Sequence, residues 1–88
     1  FNNFGRYDRY DGVKRTLAHA PAICAKALNF DDKGNETSTD YYRMMKILHQ
    51  SSYSGVISIE FEGHKVDPIA GSLKTKALIQ KALKAAAA

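Results

Sequence analysis

Eighty-eight residues allow at most one small domain, and a chain this short buries only about 60–70% of the surface its unfolded form exposes, so it is marginal without staples. The single cysteine, Cys24, excludes an internal disulfide, no Cys/His spacing of a zinc site is present, and no apolar run approaches the roughly 20 residues that cross a membrane. Thirteen Lys and Arg against nine Asp and Glu give a net charge of +4, with the excess late, at Lys65, Lys74, Lys76, Lys81 and Lys84. These lysines are spread around a helix and no aromatics interleave with them, a pattern that reads as a solvated helix face and not a nucleic-acid patch.

The lone thiol fits a reducing compartment, so a cytoplasmic location is the expectation. The opening Phe1-Asn2-Asn3-Phe4 has no signal-peptide architecture, and a first residue other than Met fits a processed or excised chain.

Residues 1–7, rich in Asn and Gly, read as loop. A helix is expected from Asp8 to Ala20, capped by Asp8 or Asp11, with Val13, Leu17 and Ala20 as its apolar stripe and Pro21 as its stop. Ala22 to Leu28 is a short apolar run that suits a strand buried on both sides. Asp31-Asp32-Lys33-Gly34-Asn35 is a turn. Thr39 or Asp40 then opens a second helix to about Gln50, with Tyr41, Met44, Met45 and Leu48 at helical spacing. Because Met44 and Met45 are adjacent, at most one is expected to face the core squarely. Ser54-Gly55 ends that segment and redirects the chain.

Val56 to Phe61 is the clearest strand. Asp67-Pro68 is an N-cap followed by proline at the first helical position. The last helix is expected to reach about Ala85, with Leu78, Ile79, Ala82 and Leu83 as its contacts. The alternation of helix and strand implies parallel strands joined by a right-handed crossover. Two parallel strands leave bare edges and uncovered faces, so the sequence is expected to need neighbours it does not contain.

Side chains alternate along a strand. In the second strand Ile57, Ile59 and Phe61 share the face expected to pack under helices, which leaves Val56, Ser58, Glu60 and Glu62 on the other. In the first strand Ile23, Ala25 and Ala27 oppose Ala22, Cys24, Lys26 and Leu28. Glu60 and Lys26 thus fall on polar faces near C-terminal strand ends, where (β/α) barrels build their active sites. A carboxylate there can bind a divalent cation or move a proton, and an ammonium can hold an oxyanion. The structural alternative is a Lys26–Glu60 pair across adjacent strands. Cys24 reads more readily as an inert buried thiol than as a nucleophile, and His19, His49 and His64 as surface residues that do not converge.

The segment Tyr53-Ser54-Gly55-Val56-Ile57-Ser58-Ile59-Glu60-Phe61-Glu62-Gly63 resembles the last strand of xylose isomerase-like barrels, the sugar phosphate isomerase/epimerase family. Ala25-Lys26, Asn29-Phe30-Asp31 and Gly34-Asn35-Glu36-Thr37 resemble the seventh strand and its loop, Asp40-Tyr41-Tyr42 the start of the seventh helix, and Lys74-Thr75-Lys76-Ala77-Leu78 the last helix. Phe1-Asn2-Asn3-Phe4 looks like the tail of the stretch after the sixth strand. The resemblance implies that residues 1–88 are the C-terminal segment of a single (β/α)8 TIM-barrel domain. It implies a sugar or sugar phosphate isomerase or epimerase that shifts a proton next to a carbonyl through an enediolate, with a divalent metal ion (Mn, Mg, Zn or Co) as cofactor.

On the same resemblance Glu60 is a metal ligand and catalytic acid/base, while Lys26 and Glu62 bind substrate. The partners implied are a small-molecule sugar and the remainder of the barrel, with room for a homo-oligomer and with neither nucleic acid nor membrane. Alone, the segment is expected to be inactive. A departure from the family pattern is Cys24, which stands where a His ligand is usual and is a poor donor for Mn or Mg. The alternatives are an abasic-site endonuclease of the same superfamily and a degenerate, non-catalytic barrel acting as a binding or scaffold domain.

Overall fold

A computed structural model describes residues 1–2 and 6–88. The middle of the expected opening loop, residues 3–5, lies outside the described residues. Helix α1 spans Arg9–Thr16, capped by the Asp8 carboxylate, which accepts from the backbone N–H groups of Tyr10 and Asp11. It is shorter than the sequence suggests, because Leu17–His19 tighten into a 3₁₀ turn. Pro21 forces the reason: the residue before a proline is driven out of the helical region, and Ala20 is extended at φ −106° and ψ 108°.

Strand β1 covers Ala22–Ala27 and strand β2 covers Val56–Phe61. They pair in parallel with Ala22 opposite Val56 and Lys26 opposite Glu60. The ladder extends at both ends, through Val56 N–H to the Pro21 carbonyl at 3.1 Å and Glu62 N–H to the Ala27 carbonyl at 2.9 Å. β1 stops one residue early because Leu28 and Asn29 give their N–H groups to the Glu36 carboxylate. On the edge of β1 away from β2, the Phe1 nitrogen donates to the Cys24 carbonyl at 2.9 Å and the Tyr41 hydroxyl donates to the Lys26 carbonyl. No third strand joins the sheet among the described residues.

Helix α2, Tyr41–Gln50, lies between α1 and helix α3, Pro68–Ala87. Asp40 and Asp67 cap them, accepting from Arg43 N–H at 3.1 Å and Ala70 N–H at 2.9 Å. α2 ends before Ser54-Gly55, the expected stop. Ser52 adopts the left-handed conformation, φ 53°, while Ser52 and Tyr53 donate back to the carbonyls of His49 and Leu48. α3 runs two residues beyond the expected Ala85, and Lys74, Lys76, Lys81 and Lys84 are exposed along it.

The core lies on one face of the sheet. Val13, Leu17, Ala25, Tyr41, Leu48, Leu78, Ile79 and Ala82 are buried there. Met44 and Met45 are both fully buried, against the expectation for adjacent residues, because α2 is flanked by helices on two sides and so buries a wide arc. β1 is not buried on both sides as expected. Ala25 and Ala27 face the core, while Ala22 and Cys24 are exposed on a face that no helix among the described residues covers. The apolar face of β2 is also less covered than its sequence suggests. Ile57 and Phe61 are half-buried, but Ile59 is 38% exposed. The result is a small mixed α/β domain with a two-stranded parallel sheet; taken alone it does not display a barrel.

α3 packs against β2 with Gly71 facing the Phe61 ring. A Cβ there would fall 2.2–2.5 Å from three carbons of the Phe61 ring, which itself stacks on Phe30 at 6.2 Å. Gly71→Ala therefore has to displace either the ring or the helix. Overpacking of this kind costs about 1–3 kcal/mol, and we expect a matching fall in stability by chemical denaturation. An unchanged midpoint would show that Phe61 is free to turn aside.

Candidate functional site

The uncovered face of the sheet carries the site. Lys26 and Glu60 are register partners on adjacent strands, so their side chains leave the sheet on the same side. The Lys26 ammonium lies 2.8 Å from Glu60 Oε1 and 2.9 Å from Glu62 Oε1. Glu62 reaches it because it is one residue past the strand, still held to the ladder by its own N–H. The three residues singled out from the sequence are therefore brought together. Lys26 is bound to both carboxylates rather than standing free for an oxyanion, and the Lys26–Glu60 pair named as the structural alternative is present. The lysine side chain is only 15% exposed, against 42% and 48% for the two glutamates.

Cys24 is exposed on the same face, not buried as expected. It lies two residues before Lys26 and opposite Ser58 in the register. His19, His49 and His64 are exposed and separate, as the sequence suggests. Among the described residues no three His, Cys, Asp or Glu side chains converge to hold a metal ion. Glu60 and Glu62 offer the hard oxygen donors that Mg and Mn prefer, but two carboxylates sharing an ammonium are an incomplete ligand set. The fit to a divalent ion is thus partial, and further ligands are needed from outside these residues.

The electrostatics follow from the contacts. The hydrogen bonds that Lys26 donates to Glu60 and then Glu62 raise its pKa above that of an ordinary lysine. The hydrogen bond from Lys26, helped by the Cys24 thiol, holds the Glu60 carboxyl below its usual value of 4.5. The lowered Glu60 value makes its share of stability complete above the ordinary carboxylate pKa and lost as pH falls through the lowered one. The raised Lys26 value makes its share complete below the ordinary lysine pKa and lost as pH rises through the raised one. The pair is intact across the neutral range. Because the carboxylates are half exposed, water screens the effect. The melting temperature is expected to fall less for Lys26→Met than for the wild type between neutral pH and about pH 3, below the usual carboxylate range. Parallel falls would show that other groups set the acid limit.

Two further features were not found in the sequence. Glu36, 7% exposed, lies in the loop between β1 and α2 and accepts four backbone hydrogen bonds. Oε2 takes Leu28 and Asn29 N–H at 3.2 and 3.3 Å, and Oε1 takes Ser38 and Thr39 N–H, both at 2.7 Å. The bonds to the second and third residues ahead resemble a turn made by a side chain, and a Glu three positions before Thr39 was the available signal. Arg9, at the start of α1, donates to Thr39 Oγ1 at 2.6 Å and the Ser38 carbonyl at 3.1 Å. Alongside it the Tyr10 hydroxyl accepts from Asp40 N–H at 2.9 Å, and the Arg43 guanidinium stacks 4.0 Å above the Tyr10 ring. These contacts fix the start of α2 against α1.

A hollow of about 250 Å³ opens among Arg9, Lys26, Leu28, Glu36, Ser38 and Thr39. A larger one of about 450 Å³ lies beyond Glu36, between Tyr10, Asp40 and Leu78, and does not reach Lys26. The smaller hollow is the one that adjoins the Lys26–Glu60–Glu62 group. Both are on the side where β1 ends and α2 begins. No family model matches the sequence, and no curated protein matches it.

Proposed function

We propose that residues 1–88 are the C-terminal segment of a xylose isomerase-like (β/α)8 barrel, and that the whole protein is a metal-dependent isomerase or epimerase of sugars or sugar phosphates. The observation that carries this reading is the convergence of Lys26, Glu60 and Glu62 on the open sheet face at the C-terminal strand ends. The resemblance of the Ile59-Glu60-Phe61-Glu62-Gly63 segment and of Ala25-Lys26 to the family supports the same reading.

In this function Glu60 moves the proton between neighbouring carbons and Glu62 orients the substrate hydroxyls. Lys26 holds Glu60 in its ionised form in the resting site and passes one of its hydrogen bonds to the substrate as charge develops on oxygen. Glu60 would hold a divalent ion, which would supply electrophilic polarisation of the carbonyl. The remaining ligands and the other barrel strands belong to residues beyond this segment.

One observation favours a second reading. Lys26 already pairs with both glutamates, and Cys24 stands at a position where the family usually has a His ligand, so a non-catalytic barrel with a purely structural ion-pair cluster would use the same contacts. Metal analysis of the purified full-length protein separates these readings. About one divalent ion per chain supports the isomerase, about three zinc ions the endonuclease, and none the scaffold.

A further inference from the structure

We infer that Arg9 anchors an anionic group of the ligand, and that the hollow between Arg9 and Lys26 is a phosphate subsite beside the Lys26–Glu60–Glu62 group. This rests on the proposed isomerase reading and narrows its substrate to phosphorylated sugars.

A guanidinium has five N–H groups and no acceptor. Among the described residues Arg9 makes two side-chain bonds, both from one terminal nitrogen, to Thr39 Oγ1 and the Ser38 carbonyl. They fix the plane of the guanidinium and leave the other terminal nitrogen and the Nε–H to serve a ligand. The ion pairs among the described residues join Arg15 to Asp11 and Lys26 to Glu60 and Glu62, so none of them neutralises Arg9.

Glu36 also lines the hollow, but both of its oxygens are taken up by four backbone N–H groups, which direct its charge into the loop. Thr39 accepts from Arg9 and keeps its own hydroxyl proton to donate. Arg9 stands at the first residue of α1, and Ser38 and Thr39 just precede α2, so the subsite occupies the end of the sheet where Glu60 and Glu62 lie. A fixed fork of donors with an unneutralised charge suits a tetrahedral dianion, which it can bind through two parallel hydrogen bonds.

The test uses the full-length protein and titrates it calorimetrically with inorganic phosphate, with acetate as the carboxylate comparison. The wild type is expected to bind phosphate. Arg9→Met is expected to weaken that binding about tenfold or more, the scale of losing a charged hydrogen-bonded partner, while Arg9→Lys retains part of it. Glu60→Gln is expected to bind phosphate as the wild type does, which separates this inference from the catalytic reading. With a phosphorylated and a neutral sugar as substrates, Arg9→Met should raise KM for the first alone and leave kcat near its original value.

Thr39→Val, which removes the support of Arg9 together with the Thr39 hydroxyl donor, covers the case in which Arg9→Met fails to fold, and it too should weaken phosphate binding. The subsite is refuted by a wild type that does not bind phosphate. Undiminished binding in whichever of Arg9→Met and Thr39→Val folds refutes it equally, as does tighter binding of acetate than of phosphate. Full turnover in Glu60→Gln alongside phosphate binding that depends on Arg9 would remove the catalytic reading and leave the subsite standing.

Discussion

Replacing Glu60 by glutamine is expected to leave the fold of the full-length protein intact and to lower its turnover by about a hundredfold or more, the usual contribution of a positioned acid/base group. Glutamine keeps the shape and can still accept a hydrogen bond from Lys26, so register and packing have no reason to change. What it loses is the ability to take and return a proton. Glu62→Gln is the control. Glu62 lies at nearly the same distance from Lys26, 2.9 Å against 2.8 Å, and differs mainly in standing beyond the strand. It is expected to cost much less turnover than Glu60→Gln. Equal, small losses in steady-state kinetics would reduce both glutamates to structural partners of Lys26 and favour the scaffold reading.

Glu36→Ala is expected to be the most destabilising single change in the loop between β1 and α2. The carboxylate satisfies the N–H groups of Leu28, Asn29, Ser38 and Thr39, and the bond to Thr39 is fully buried. Alanine leaves all four without their acceptor. Water can reach some of them, so the sum is less than four full penalties, but a loss of roughly 3 kcal/mol or more follows from the cost of unsatisfied buried donors. Glu36→Gln should fall between the two, since one oxygen becomes an NH₂ group that faces backbone donors. Urea denaturation measures both. A loss below about 1 kcal/mol for Glu36→Ala, the worth of one ordinary hydrogen bond, would mean that the loop reorganises around water. The same substitution is expected to loosen the seat of Arg9, because Ser38 and Thr39 hold it.

The local elements were legible because their signals are short-range. Asp8, Asp40 and Asp67 each cap the helix they precede, and the apolar positions Tyr41, Met44, Met45 and Leu48 are the ones α2 buries. The strand Val56–Phe61 has the boundaries that its β-branched run suggests. The facing of Lys26 and Glu60 was legible too, since alternation places each on a polar face and parallel pairing brings the two faces together.

The sequence alone determined which segments are helix and strand, and that Lys26 and Glu60 share a side. Tertiary structure decided the rest, because it depends on partners remote in sequence. Both Met44 and Met45 are buried because α1 and α3 flank α2. Cys24 is exposed because, among the described residues, the helices pack on the other face of the sheet. Glu62 joins Glu60 on Lys26 because the ladder continues one bond past the strand, to the Ala27 carbonyl. Arg9 meets Thr39 across 30 residues, a contact that no period or spacing encodes and that arises only when α1 and the loop before α2 pack together.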